Sequence, residues 1–145
     1  VLEGNAHAIF ALRTLLASQA SHGEIRGEEF ATGLWKSIEA ARLLNEKGIS
    51  CEVINIHTIK PLDEQAILDS VAKTRCAVTA EEHQRNGGLG DSVAQLLAMK
   101  HPTPMEMVAV DDQFGESGTP AELMTKYAID TADVVQAVQR VVKRK

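Results

Sequence analysis

From Leu34 onward, the apolar positions switch back and forth between a helical and a strand-like period. In "LWKSIEAARLLNEKG", Leu34, Ile38, Ala41 and either Leu44 or Asn45 recur at helical spacing, and Gly48 follows where a helix C-cap belongs. "ISCEVINI" (49–56) is β-branched and partly alternating, which predicts a strand. "PLDEQAILDSVAKT" offers Asp63 as an N-cap and Ala66, Ile67, Leu68 and Val71 as the apolar side of a helix ending near Lys73. A second apolar strand, "CAVTAEE" (76–82), runs into "EEHQRNGGLGD" and then into a helix over 91–100, with Val93, Leu96 and Leu97 inward. "MEMVAV" (105–110) is a third strand, followed by the loop "DDQFGESG". Thr119 as N-cap with Pro120 at the first helical position marks a strong helix start. Asp130 or Thr131 opens the last helix, along which Val134, Val135, Val138 and Val141 or Val142 repeat at helical spacing.

Strands alternating with helices of this length require βαβ crossovers, so the expected fold class is a three-layer α/β/α sandwich around a mostly parallel sheet. The first 33 residues fit less simply. "AHAIF" (6–10) reads as a strand, yet "NAHAIFALRTLLASQA" also reads as a helix capped by Asn5, with Ile9, Leu12, Leu15, Leu16 and Gln19 near one face. "ASHGEIRGEEFATG" is glycine-rich and charged, a loop that could end in a short strand at Glu29–Ala31.

A chain of 145 residues suits one domain. The composition, 44% hydrophobic and 24% charged, is that of a globular protein, with no apolar run near the length of a membrane span. The opening residues lack the pattern of an export signal, so the expected setting is cytoplasmic. A net charge of -5 opposes nucleic acid, and the basic tail "RVVKRK" suits the last turn of a helix. Cys51 and Cys76 fall in apolar β-rich segments without a CxxC spacing, as small buried side chains do. Trp35 is expected to be half-buried, and Met99, Met105, Met107 and Met124 to fill the core.

Chemistry-bearing residues collect near the predicted strand ends: His57, then Glu81, Glu82 and His83, then Asp111, Asp112 and Glu116. In parallel α/β folds, sites are built at the carboxyl ends of strands, and these types suit acid-base work or a hard metal. No metal-binding spacing such as HExxH accompanies them, so catalysis by this chain alone is not expected. "NGGLGD" invites an anion-binding reading, since glycines at a helix start expose backbone N–H groups. Neither GxGxxG nor the Walker pattern is present, and Asp91 would repel an anion. The favoured role of Gly87, Gly88 and Gly90 is therefore positive φ and close approach to a neighbouring backbone.

Three stretches, "GISCEVINIHTIKPLDEQAI", "VTAEEHQRNGGLGDSVAQLLA" and "FGESGTPAELMTKYAID", strongly resemble the C-terminal domain of transketolases, particularly the separate C-terminal section found in prokaryotes. The similarity runs from about Ala31 to Val142. The "TIKPLD" element and the glycine loop are shared with 1-deoxyxylulose-5-phosphate synthases and 2-oxoacid dehydrogenase β subunits, whereas "FGESGTPAEL" points to transketolase. The resemblance implies a mixed five-stranded sheet. It also implies a dimeric enzyme that moves two-carbon ketol units between sugar phosphates with thiamine diphosphate and a divalent metal, Mg or Ca.

In that family the cofactor sits on the pyrimidine- and diphosphate-binding domains, behind a GDG signature that this sequence lacks, so no catalytic, cofactor or metal residue carries over. Glu81, Glu82, His83, Gly87, Gly88 and Gly90, with Phe114, Gly115, Glu116, Ser117 and Gly118, are the expected residues of interdomain contact or loop architecture. The expected function is a structural and assembly domain that partners the missing domains and forms a homodimer. The alternatives are a small-anion or nucleotide-binding regulatory module and an engineered or truncated scaffold. The departure from the family is "ALRTLLASQASHGEIRGEEF" (11–30), expected to be an insertion or a replaced junction within a single domain over 1–145. Either Ala6–Phe10 keeps the first strand and Ala11–Ala20 adds a surface helix, which is preferred, or Glu29–Ala31 replaces that strand.

Overall fold

The computed structural model describes residues 6–13, 31–56 and 58–145. Its elements are β1 (Ala6–Arg13), α1 (Ala31–Asn45), β2 (Ile49–Asn55), α2 (Glu64–Thr74), β3 (Ala77–Gln84), α3 (Leu89–Lys100), β4 (Met105–Val110), α4 (Pro120–Lys126) and α5 (Thr131–Val142). The four described strands form one parallel sheet in the order β2-β1-β3-β4. Parallel neighbours cannot be joined by hairpins, and α1, α2 and α3 supply the crossovers. A fifth strand, or an antiparallel pairing that would make the sheet mixed, is not among the described residues.

β1 lies inside the sheet, with Ile9 opposite Glu52 of β2 on one side and Ala77 of β3 on the other. The strand reading of "AHAIF" therefore holds, and the helical reading of that stretch fails. β1 continues through Arg13, so Ala11–Arg13 belong to the strand and not to an added helix. Ala31 opens α1, so it is not the end of a replacement strand. The rest of the 11–30 segment lies outside the described residues, as does His57.

Strand alternation divides the sheet between two cores. Val78 and Ala80 of β3 pack with Ala40, Leu44, Val134, Val138 and Val141 from α1 and α5. Ala77, the next residue along the pleat, joins Ile67, Val71, Leu89, Val93 and Leu96 from α2 and α3 on the opposite face. The caps work as the sequence indicates. Asp63 accepts the Ala66 N–H at 3.1 Å, and Thr119 with Glu122 and Asp130 with Asp133 each complete a capping box.

Three expected core positions are corrected. α1 turns Ser37, Ala40 and Leu44 inward, which leaves Ile38 exposed and Trp35 65% exposed on the far side. The other expected positions, Leu34, Ala41 and Leu44, do pack in or against the core, so spacing misplaced only the edge of the apolar face. Met99 lies beyond the inward arc of Val93, Leu96 and Leu97 and is exposed, whereas Met124 is buried as expected.

Candidate functional site at the carboxyl edge of the sheet

In a parallel sheet every strand delivers its last residues to the same edge, where the next helix begins. That edge holds the end of β3, the start of α3, the loop after β4 and the first turns of α1 and α5. Most of the residues singled out in the sequence meet there.

β3 runs two residues further than expected, so Glu81, Glu82 and His83 are strand residues whose side chains alternate between faces. Glu81 follows Ala77 and Thr79 toward α3 and is only 3% exposed. Its Oε2 accepts the Leu89 N–H and its Oε1 accepts the Gly90 N–H, both at 2.8 Å. A buried carboxylate thus satisfies two of the otherwise unpartnered donors at the start of α3, in the favourable field of the helix N-terminus. These are the donors that an anion-binding reading of "NGGLGD" requires, and the chain's own side chain takes them.

The glycines are explained by this contact more than by backbone freedom. Of Gly87, Gly88 and Gly90, only Gly87 has a positive φ, at 80°. Its N–H donates to Asp91 Oδ2 at 2.5 Å, giving that carboxylate a role within the turn. A Cβ on Gly88 would come within 2.7 Å of Glu81 Cδ, and one on Gly90 within 2.8 Å of Met107 Sδ. The close approach expected of these glycines is therefore made to side chains, not to a neighbouring backbone.

Glu82 points to the opposite face, toward the side of α1 and α5. Glu82 is exposed at the surface, yet the protein packed around its carboxyl group desolvates it enough to push it above the usual range, and the Lys36 ammonium opposes that rise. Lys36 Nζ itself donates to Asp130 Oδ1 at 2.5 Å, joining the second turn of α1 to the N-cap of α5. That hydrogen bond, helped by the Thr131 N–H, holds Asp130 below its ordinary value. Asp130 was legible as a cap, but nothing in the sequence marks Lys36 as its partner.

His83 is partly buried, its Nδ1 lying 2.9 Å from the Gln84 carbonyl, which makes that nitrogen the donor. Gln84 Nε2 donates to the Gln113 carbonyl at 2.6 Å, and Arg85 pairs with Asp111 at 3.1 Å. The end of β3 is thereby tied to the loop after β4. From its other side, Tyr127 OH donates to the Phe114 carbonyl at 3.0 Å, and Lys126 pairs with Glu116. Gln84 and Tyr127 were missed in the sequence because both act on backbone carbonyls far along the chain. Phe114, Gly115, Glu116, Ser117 and Gly118 are all exposed.

Among the described residues no group of three or more His, Cys, Asp or Glu side chains is placed to hold a metal ion, and no helix is long and apolar enough to cross a membrane. The two carboxylates of "EEH" do not converge on one site, since Glu81 and Glu82 lie on opposite faces of the sheet.

Comparison with known proteins matches residues 30–134 to the family described as transketolase, C-terminal domain. A 6-deoxy-6-sulfo-D-fructose transketolase subunit from Clostridium sp. (strain MSTE9) is 41% identical over 117 residues, covering 79% of this chain and 36% of that subunit. A 1-deoxy-D-xylulose-5-phosphate synthase from Geobacter sulfurreducens is 39% identical over 105 residues, covering 71% of this chain and 16% of the synthase. Among solved structures, a split-gene transketolase described as an inactive β4 tetramer superposes with a TM-score of 0.77 at 37% identity, covering 97% of this chain and 40% of that one. The chain thus spans well under half the length of these relatives. With the sheet order, the capped helices and the glycine loop all accounted for, the chain belongs to the transketolase C-terminal domain family.

Proposed function

We propose that this chain is the assembly section of a transketolase-type enzyme, docking through the carboxyl edge of its sheet onto the sections that carry the catalytic machinery. The chemistry of such an enzyme, ketol transfer with thiamine diphosphate and a divalent metal, is supplied by those sections.

The observation that carries this reading is the placement of Glu81. A cofactor diphosphate or a free phosphate needs unoccupied N–H donors, and at α3 the Leu89 and Gly90 donors face a buried carboxylate instead. A second negative group brought there would meet Glu81 at short range in a region of low dielectric, where like charges repel strongly. The residues present therefore do not fit the diphosphate, and no catalytic step is assigned to them. This also disfavours the small-anion module.

Among the described residues the edge offers an exposed surface. Glu82 and the loop of Phe114 to Gly118 face solvent, on a backbone braced by Gln84, Arg85 and Tyr127. Such braced, exposed loops on a rigid scaffold are suited to recognition.

The test adds the purified chain to a transketolase lacking its C-terminal section and measures both ketol transfer and particle mass. Recovery of a larger assembly supports the proposal, with turnover as the downstream readout. Turnover by the chain alone, or tight binding of a phosphate metabolite without any partner, would sink it.

A further inference from the structure

We infer that Phe114 is the aromatic anchor of this docking edge and that its receiving site is an apolar pocket rimmed by Lys or Arg. The occupant is the section that makes up the rest of a split-type transketolase chain. This rests on the assembly reading above and specifies which side chain carries it.

Phe114 is 97% exposed, an unusual position for a large apolar side chain. Its backbone is nonetheless fixed. The residue before it accepts from Gln84, its own carbonyl accepts from Tyr127, and Asp111 and Glu116 pair with Arg85 and Lys126. A ring held out on a braced loop loses little conformational freedom when it is buried by a partner, which is the property of interface anchors.

The charge around it selects the occupant. Asp111 and Glu116 are already paired with Arg85 and Lys126, which leaves Asp112, exposed two residues before Phe114, as the carboxylate outside those pairs. Two copies of this loop would bring the two Asp112 carboxylates together, so a second copy of the chain is disfavoured on this face and a Lys or Arg on the rim is favoured. A partner of adequate size exists in the relatives, whose chains extend well beyond the part matched here.

The experiment titrates the whole 145-residue chain into the Clostridium transketolase subunit expressed without its matching section, by calorimetry at two salt concentrations. Phe114→Ala is expected to weaken binding by roughly 30-fold, the effect of losing an interface hot spot. Asp112→Lys is expected to weaken binding and reduce its salt dependence. Phe114→Ala should keep the urea midpoint of the parent, since its side chain does not pack in the core. Binding by Phe114→Ala within twofold of the parent would overturn the anchor while leaving the assembly reading intact. No binding by the parent chain would overturn both. Self-association of the chain that Phe114→Ala abolishes would overturn the choice of occupant.

Discussion

The Glu81 carboxyl group fills the space that a side chain on Gly88 would need: a Cβ there would lie 2.7 Å from Glu81 Cδ, nearer than carbon atoms pack. Glu81 cannot swing away without abandoning the Leu89 and Gly90 N–H groups, which are buried with it. Gly88→Ala should therefore cost about 1–3 kcal/mol through overpacking. Glu81→Ala should cost about 2–4 kcal/mol through loss of charge-assisted hydrogen bonds to buried donors. With the carboxyl group gone, the extra methyl has room, so the double variant should be more stable than the sum of the two losses by at least about 0.5 kcal/mol. Urea denaturation of the four proteins measures this. Strict additivity would show that the two residues do not compete for the same space.

Thr119 ends the exposed loop and starts α4 through a reciprocal pair. Its hydroxyl accepts the Glu122 N–H at 3.4 Å, and Glu122 Oε2 accepts the Thr119 N–H at 3.0 Å. α4 is only seven residues long, so it has little propagation energy to offset a lost cap. Thr119→Ala is expected to lower stability by about 1 kcal/mol, and Thr119→Ser, which keeps the hydroxyl that both accepts from and donates to Glu122, to restore most of it. If both variants unfold at the same denaturant concentration, the cap is not what holds this turn.

Lys36 links two carboxyl groups that titrate in opposite senses. Glu82 is raised above its ordinary value near 4.5, so its contribution to stability is complete below that value and is lost as pH rises through the raised one. Asp130 is depressed below 3.8, so its contribution is present above that value and is lost as pH falls through the depressed one. Lys36→Met removes the cation from both and should raise both pKa values, which NMR titration of the two side-chain carboxyl groups reads directly. Glu82→Gln should stabilise the protein at neutral pH and make little difference below pH 4.5. Loss of stability from Glu82→Gln at neutral pH would mean that the ionised carboxylate gains more from Lys36 than it loses through burial.

Much of this fold can be read from the residues, and the parts that cannot share a physical cause. β4 falls on "MEMVAV" as expected, because a short β-branched run between Pro104 and Asp111 has little other option. α2, α4 and α5 begin where Asp63, Thr119 and Asp130 cap them. These are local signals, each settled within four residues of chain. The exact edge of the apolar face of α1 is not local. Whether Ile38 or Ser37 faces the sheet depends on how β1, β3 and α5 pack against the helix, and the period alone leaves that open. Glu81 illustrates the same limit at the candidate site. Its type and its place before a glycine loop were plain, but its partners are backbone N–H groups eight and nine residues away, which no composition or side-chain motif displays. The spacing of Gly88 and Gly90 after an acidic strand end was the one available clue.

Cys51 provides a test of how closed the opposite edge of the sheet is. It lies in β2 beside a cleft of about 320 Å³ that Ser50, Glu52, Lys73 and Thr74 also line. Burial, with a smaller contribution from nearby Cys76, pushes the Cys51 thiol up to about 12. Burial raises Cys76 as well, and the two remain thiols instead of forming a disulfide. Only the thiolate reacts with alkylating agents, and at pH 8 a thiol titrating near 12 holds roughly a thousandfold less thiolate than an ordinary cysteine. The higher nucleophilicity of a high-pKa thiolate offsets part of this, so native protein treated with iodoacetamide at pH 8 should take up label on Cys51 at least about tenfold more slowly than the same protein in 8 M urea, as peptide mass mapping would show. Labelling of the native protein at a rate close to that in urea would mean that β2 opens readily at this edge, and that the cleft is an entrance to the sheet and not a closed seam.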